Sequence, residues 1–246
     1  MKIEVLLLCH NYQHRLCWDL SSIWAQDLEG IDLQVVPCVC SLPKNGNPRT
    51  EDVVKYFRDN GLRVKHLICE DRERFALRGY TRNDQVKILD EDTDWVLFSD
   101  CDMVYEVGFF KELYHKLNEI TATDSVVCVG RWSNDANDID ALISKYTYPA
   151  IVMANGILRS ISNRQMSNVG AGYFQMVRKS MLNGFYIEEG TSRDRHMFNR
   201  GLNPKNDMQF KKRFNNRKIK LSLETRQYHL NHLRDPEAGK HVENQR

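Results

Sequence analysis

Short apolar runs separated by amphipathic stretches set the rhythm of the first half of the chain. Ile3 to Cys9, Leu33 to Cys40, Val64 to Cys69, Trp95 to Phe98 and Ser125 to Gly130 have the length and apolar content of buried strands. Between the first two, Leu16, Leu20, Ile23 and Trp24 recur at i, i+4, i+7 and i+8, which is one face of a helix. Ser41 to Pro48 holds two prolines and a glycine and reads as a loop. Thr50 is then placed to cap a helix, with Glu51 and Asp52 in its first turn, Val53, Val54 and Phe57 inward, and Gly61 at its stop. Asp71 to Glu91 is polar, and Val86, Ile88 and Leu89 predict a helix in its second half. Phe109 or Phe110, with Leu113 and Leu117, predicts another. Strands spaced by helices argue for an α/β fold: a Rossmann-like, mostly parallel sheet with right-handed crossovers and helices on both faces.

After Gly130 the alternation stops. Arg131 to Asn168 reads as polar and irregular around an apolar patch, Tyr148-Pro-Ala-Ile-Val-Met153. Long excursions of this kind are lids, acceptor-binding elements or plain helical additions. Gly170-Ala-Gly-Tyr-Phe-Gln-Met-Val-Arg178 predicts a strand entered through glycines, Asn206 to Arg217 a helix, and Ile219 to Leu230 a last strand-like segment.

Composition narrows the class. A chain of 246 residues with 41% hydrophobic and 28% charged residues has enough apolar side chain for one substantial core. Its net charge of +2 gives no bulk reason to expect a nucleic-acid partner. The N-terminal apolar run is short and broken by Glu4, so it does not read as a signal peptide, and no run reaches membrane-spanning length. Seven cysteines is an odd number, without a C-x-x-C pair. Cys9, Cys38, Cys40, Cys69 and Cys128 lie in apolar strand-like runs, which predicts reduced, buried thiols in a cytoplasmic protein.

The chemistry centres on Trp95-Val-Leu-Phe-Ser-Asp-Cys-Asp-Met-Val104. A strand of period two points Asp100 and Asp102 to the same side, at the carboxyl edge where open α/β sheets bind ligands. Two such charges about 4 Å apart repel by roughly 4 kcal/mol at an effective dielectric near 20. A divalent cation would offset that repulsion. A single D-x-D would equally serve as a cap or a turn, so its surroundings decide.

Those surroundings resemble a known family. Cys9-His-Asn11, Thr81-Arg-Asn83, Phe98-Ser-Asp-Cys-Asp102, the glycine-led segment Gly170 to Arg178, Asn183-Gly-Phe-Tyr-Ile-Glu188 and Asn206-Asp-Met-Gln-Phe210 follow the order of glycosyltransferase family 2 of the GT-A fold. Tyr228-His229, with Gly239-Lys240 and Glu243-Asn244, resembles the end of the catalytic domain of bacterial chondroitin-type polymerases. Two departures stand out: Cys40-Ser-Leu-Pro43 lacks the acidic residue of many members, and Asn206 replaces the Glu of the E-D pair.

The resemblance implies one GT-A domain over 1–246, with a nucleotide-sugar half to about 130 and an acceptor half beyond. It implies inverting transfer from a nucleotide-diphosphate sugar, a UDP-sugar first, to a hydroxyl of a saccharide or lipid-linked saccharide. Asp102 would ligate the metal and Asp100 would meet the ribose and a metal-bound water. His229 would be a further ligand, with His232 as its substitute. An imidazole ligand favours Mn²⁺ over Mg²⁺. Asn11 and Arg82 are nucleotide candidates, Arg82 through its planar fork. Glu70 or Asp71 could replace the missing acid for the base. Asp207 is the candidate general base, although a carboxylate at a helix start also complements the helix dipole. Lys211-Lys-Arg213, Arg217, Lys218 and Lys220 read as a solvated face or a peripheral contact with an anionic bilayer. Two other classes compete. Asp100-Cys-Asp-Met-Val104 also fits the nucleophile motif of haloacid-dehalogenase-type phosphatases, and a non-catalytic nucleotide-sugar-binding module would keep the fold without the base.

Overall fold

The computed structural model describes residues 1–44, 49–122, 124–133, 136–145, 156–162, 164–166, 173–187, 189, 206–214 and 217–230. β1 (Lys2–Cys9), α1 (Gln13–Trp24), β2 (Gln34–Ser41), α2 (Thr50–Asp59) and β3 (Lys65–Ile68) come first. Helices α3 (Arg72–Ala76) and α4 (Arg78–Lys87) lead to β4 (Trp95–Asp100), β5 (Met103–Tyr105) and α5 (Phe109–Asn118). Then come β6 (Val126–Val129), β7 (Arg131–Ser133), α6 (Ala136–Lys145), α7 (Ile157–Ile161) and β8 (Arg164–Met166). β9 (Phe174–Arg178), α8 (Asn206–Arg213), β10 (Lys218–Leu221) and β11 (Gln227–His229) complete the described elements.

Seven strands form the main sheet in the order β10-β6-β9-β4-β1-β2-β3. β1 pairs in parallel with both β2 and β4, β2 with β3, and β10 with β6, while β9 runs antiparallel between β4 and β6. The chain winds outward from β1 through β2 to β3, then returns to the other side of β1 as β4. That reversal opens a crevice at the carboxyl ends of β1 and β4, the position where open α/β sheets take ligands.

Strand alternation sends successive side chains to opposite faces. Ile3, Val5, Leu7 and Cys9 pack with α1, α2 and α5 through Leu16, Leu20, Val53, Phe57, Phe110 and Leu113. Leu6, Val96 and Phe98 pack on the other face with Val86 of α4 and with Phe210 and Phe214 at α8. Each large side chain removed from water here is worth about 1.5–3 kcal/mol. The runs are continuously apolar because helices cover both faces.

Several expectations need correction. Thr50 is the first helical residue of α2 rather than its cap. Its buried hydroxyl accepts from Gln13 Nε2 at 3.1 Å and donates to Cys9 Sγ at 3.8 Å, so it ties α2 to α1 and β1. Gly61 does end that helix, with φ of +94°. The segment after Gly130 is not irregular: β7, α6, α7 and β8 lie within it. Ile219 to Leu230 is not one strand, because β10 joins the main sheet and β11 joins a second sheet of order β5-β11-β7-β8. The helix predicted over 206–217 stops at Arg213. The patch 148–153 and the glycines at 170 and 172 lie outside the described residues.

The basic run is only partly a solvated face. Arg213 donates to the carbonyls of Phe185, Tyr186 and Leu182 and lies 4.2 Å over the Phe185 ring. Arg217 pairs with Asp124.

Candidate functional site

The pairing of Leu8 with Asp100 sets Cys9-His-Asn11 beside Asp100-Cys-Asp102 at the switch crevice. Asn11 is exposed in the left-handed region, at φ of +58°, a conformation that Asn tolerates better than most residues. Asp100 is half-buried at the end of β4, and Asp102 is 7% exposed in the turn to β5.

β11 brings His229 to this turn. His229 pairs with Met103 of β5 and with Ser133 of β7, and the Leu230 N–H donates to the Asp102 carbonyl at 2.8 Å. His229 Nε2 then stands 3.2 Å from Asp102 Oδ2. Glu106 secures the strand. It accepts from Arg159 Nη2 at 2.7 Å, from the Arg226 N–H at 3.0 Å and from the Tyr228 hydroxyl. Burial alone would raise the Glu106 carboxyl, but the donors Arg159, Tyr228 and Arg226 hold it below its ordinary range, and burial with Glu106 pushes the Tyr228 phenol upward.

The Asp102–His229 pair suits a divalent cation. Two donors about 2.1 Å from an octahedral ion stand about 3 Å apart. One carboxylate and one imidazole form a nitrogen–oxygen set that favours Mn²⁺ over Mg²⁺. Among the described residues no group of three or more His, Cys, Asp or Glu could hold a metal.

The predicted residues separate into three groups. Asn11, Asp100, Asp102 and His229 meet at the crevice. Glu70 is exposed in the turn after β3, while Asp71 is used as the cap of α3, accepting from the Arg74 N–H at 2.9 Å. At the neighbouring strand ends the Ser41 hydroxyl is 3.0 Å from His66 Nε2. Asp207 lies at the start of α8, as predicted, with its side chain outside the described residues, as is His232.

Arg82 requires a correction. It is 5% exposed, and its fork donates to the Leu6 carbonyl at 3.0 Å and the Ser99 carbonyl at 2.9 Å. Its guanidinium also lies 5.4 Å from the Phe98 ring centroid. Arg82 therefore staples β1 to β4 beneath the crevice, and its geometry is committed before any nucleotide arrives. Arg82→Ala should destabilise the ligand-free protein by about 2–4 kcal/mol, the worth of two charged hydrogen bonds and the lost packing. A thermal melt reads this directly, and an unchanged midpoint would refute the staple. Asn83 beside it has a similar job: its side-chain oxygen accepts from the Tyr186 and Ile187 N–H groups at 2.6 and 3.0 Å.

Two features escaped the sequence reading. Burial holds the His10 imidazole below its ordinary range, and the exposed Arg72 and Arg78 lower it further. Arg78 also acts on Tyr12, whose phenol burial raises and the Asp102 carboxylate raises further. Guanidiniums and a carboxylate thus both act on the residues that follow β1.

The second feature is Asp19 on α1. It is 0% exposed, and neither carboxyl oxygen has a hydrogen-bond partner; the Met103 N–H approaches without hydrogen-bond geometry. Burial, reinforced by Asp102, Cys9 and Asp100, raises its pKa well above the usual carboxylate range. The folded state therefore keeps a proton that the unfolded chain releases from about pH 4 upward. Stability is lost as pH rises through that window, by up to about 1.4 kcal/mol per pH unit from this group. Asp19→Asn should remove that component. Its stability advantage over the wild type, from urea melts between pH 4 and pH 8, should widen with pH; a constant difference would place the charge elsewhere.

No protein-family model and no curated protein matches the chain. Solved structures do. The S. aureus TarS 1–349 structure superposes with a TM-score of 0.60 at 17% identity, over 93% of this chain and 60% of that one. A mannosyltransferase from Pyrobaculum calidifontis, solved with GDP-Man and Mn²⁺, gives 0.50 at 12% identity, over 96% of this chain and 59% of that one. The chain spans about three fifths of each. The fold is GT-A, with a large, mostly parallel sheet flanked by helices.

Proposed function

We propose that this chain is an inverting, divalent-metal-dependent glycosyltransferase that takes a nucleotide-diphosphate sugar, a UDP-sugar first, as donor. The meeting of Asp102 with His229, 3.2 Å apart at the switch crevice of a GT-A sheet, carries this reading. The fold match to a mannosyltransferase that binds GDP-Man and Mn²⁺ supports it.

In this reading Asp102 and His229 hold the cation, Mn²⁺ ahead of Mg²⁺. Such a cation supplies positive charge where the departing diphosphate accumulates negative charge. Arg72 and Arg78 add fixed positive charge near the crevice. Asp100 and Asn11 contact the nucleoside, and Glu70 reaches its base. Asp207 takes the proton of the acceptor hydroxyl as that oxygen attacks the anomeric carbon opposite the diphosphate, which inverts the configuration. The acceptor is a saccharide or lipid-linked saccharide, bound by elements after β6 in a cytoplasmic enzyme that touches the membrane at most peripherally.

The phosphatase reading finds little support, because the aspartate motif follows the fourth strand of a GT-A sheet. A thermal-shift panel of nucleotide diphosphates and their sugars, with and without Mn²⁺, tests the proposal. UDP at one hundred times its dissociation constant should add roughly 2.7 kcal/mol of stability, only with the metal present. A shift without turnover would identify a binding module. No shift with any nucleotide would end the proposal.

A further inference from the structure

Two thiols meet at the head of the switch crevice. Cys9 closes β1 and Cys101 follows β4, each one residue beyond the pairing of Leu8 with Asp100, so the two stand at neighbouring strand ends. Both belong to the same apolar cluster; Cys9 is fully buried and Cys101 is 5% exposed. The Cys9 sulfur accepts the Thr50 hydroxyl at 3.8 Å. Neighbouring strands run about 4.8 Å apart. That lies within the Cα separation of roughly 4.4–6.8 Å that a disulfide accepts. Neither forms a disulfide in this structure.

We propose that Cys9 and Cys101 form a reversible disulfide that clamps the Asp100–Asp102 turn to β1 and so switches off nucleotide binding. The oxidant is hydrogen peroxide, and Cys101, the more exposed of the two thiols, meets it first. The Cys101 sulfur attacks one peroxide oxygen; the O–O bond breaks, water leaves, and Cys101 becomes a sulfenic acid. The Cys9 sulfur then attacks the Cys101 sulfur, the S–S bond forms, the S–O bond breaks, and a second water carries off the Cys9 proton. The two thiols lose two electrons in all and the peroxide gains them. A thiol reductant reverses the change.

The consequence follows from position. Asp100 and Asp102 flank Cys101, and Asn11 is two residues beyond Cys9. Closing a bond of about 2 Å between the strand ends draws the turn inward. A misplacement of about 1 Å can cost 10²-fold at a positioned site. The effect on nucleotide binding rests on the glycosyltransferase reading; the thiol chemistry does not.

Peroxide treatment of the whole protein, alkylation of remaining thiols and peptide mass mapping should yield a linked Cys9–Cys101 peptide. Cys9→Ser and Cys101→Ser should lack it. The oxidised wild type should bind UDP with Mn²⁺ at least about tenfold more weakly, by the order-of-magnitude cost of a misplaced site, and dithiothreitol should restore it. Absence of the linked peptide while the half-buried Cys17 is oxidised would overturn the proposal, as would a linked peptide with unchanged UDP affinity. If the reduced protein binds no nucleotide, the proposed function fails, while the mass map still decides the disulfide.

Discussion

Asp102→Asn is expected to abolish Mn²⁺-dependent UDP binding and to lower turnover by about 10³-fold, the scale of losing a positioned electrostatic stabiliser. The substitution is nearly isosteric. The Asp102 carbonyl still accepts from the Leu230 N–H, and the new amide still faces His229, so the fold should survive. What disappears is the negative charge of the proposed ligand. His229→Ala should have a smaller effect, about 10–100-fold in metal affinity, because an imidazole is one donor among waters and phosphates. Calorimetric titration of UDP with and without Mn²⁺, beside release of UDP from a UDP-sugar, reads both. Retained metal-dependent binding in Asp102→Asn would move the cation away from this turn.

Asp207→Asn should separate binding from chemistry. UDP-sugar affinity should stay within about twofold while turnover drops by about 10²–10⁴-fold, the usual contribution of a general base. The residue opens α8, whose Phe210 packs against Phe98 and Tyr186 with ring centroids 5.2 and 4.3 Å away. Phe98 is part of β4, so the helix that carries the proposed base and the strand that ends in Asp100 share one aromatic cluster. Turnover equal to the wild type would leave Asp207 only the role of complementing the helix dipole.

The main sheet was legible because β1, β2 and β4 are covered on both faces and therefore spell continuous apolar runs. The second sheet was not. β5, β7, β8 and β11 have three residues each, too few for any period to register. Arg82 misled because an arginine in a polar stretch reads as a surface group, whereas here its fork serves two buried carbonyls. Asp19 left a trace that was readable in principle. It sits between Leu16 and Ile23 on the inward stripe of α1, where an acid has no ordinary business. The Asp102–His229 meeting could come only from resemblance, since no local pattern links residues at opposite ends of a chain.

β11 lies between β5 and β7, and it carries a proposed ligand from far along the chain into a turn made long before. A ribosome that has delivered β1 through β9 has made nearly all of the main sheet. That nascent intermediate still lacks the imidazole, so on this reading it would not retain the ion and would leave activated sugars untouched until its last described strand has docked.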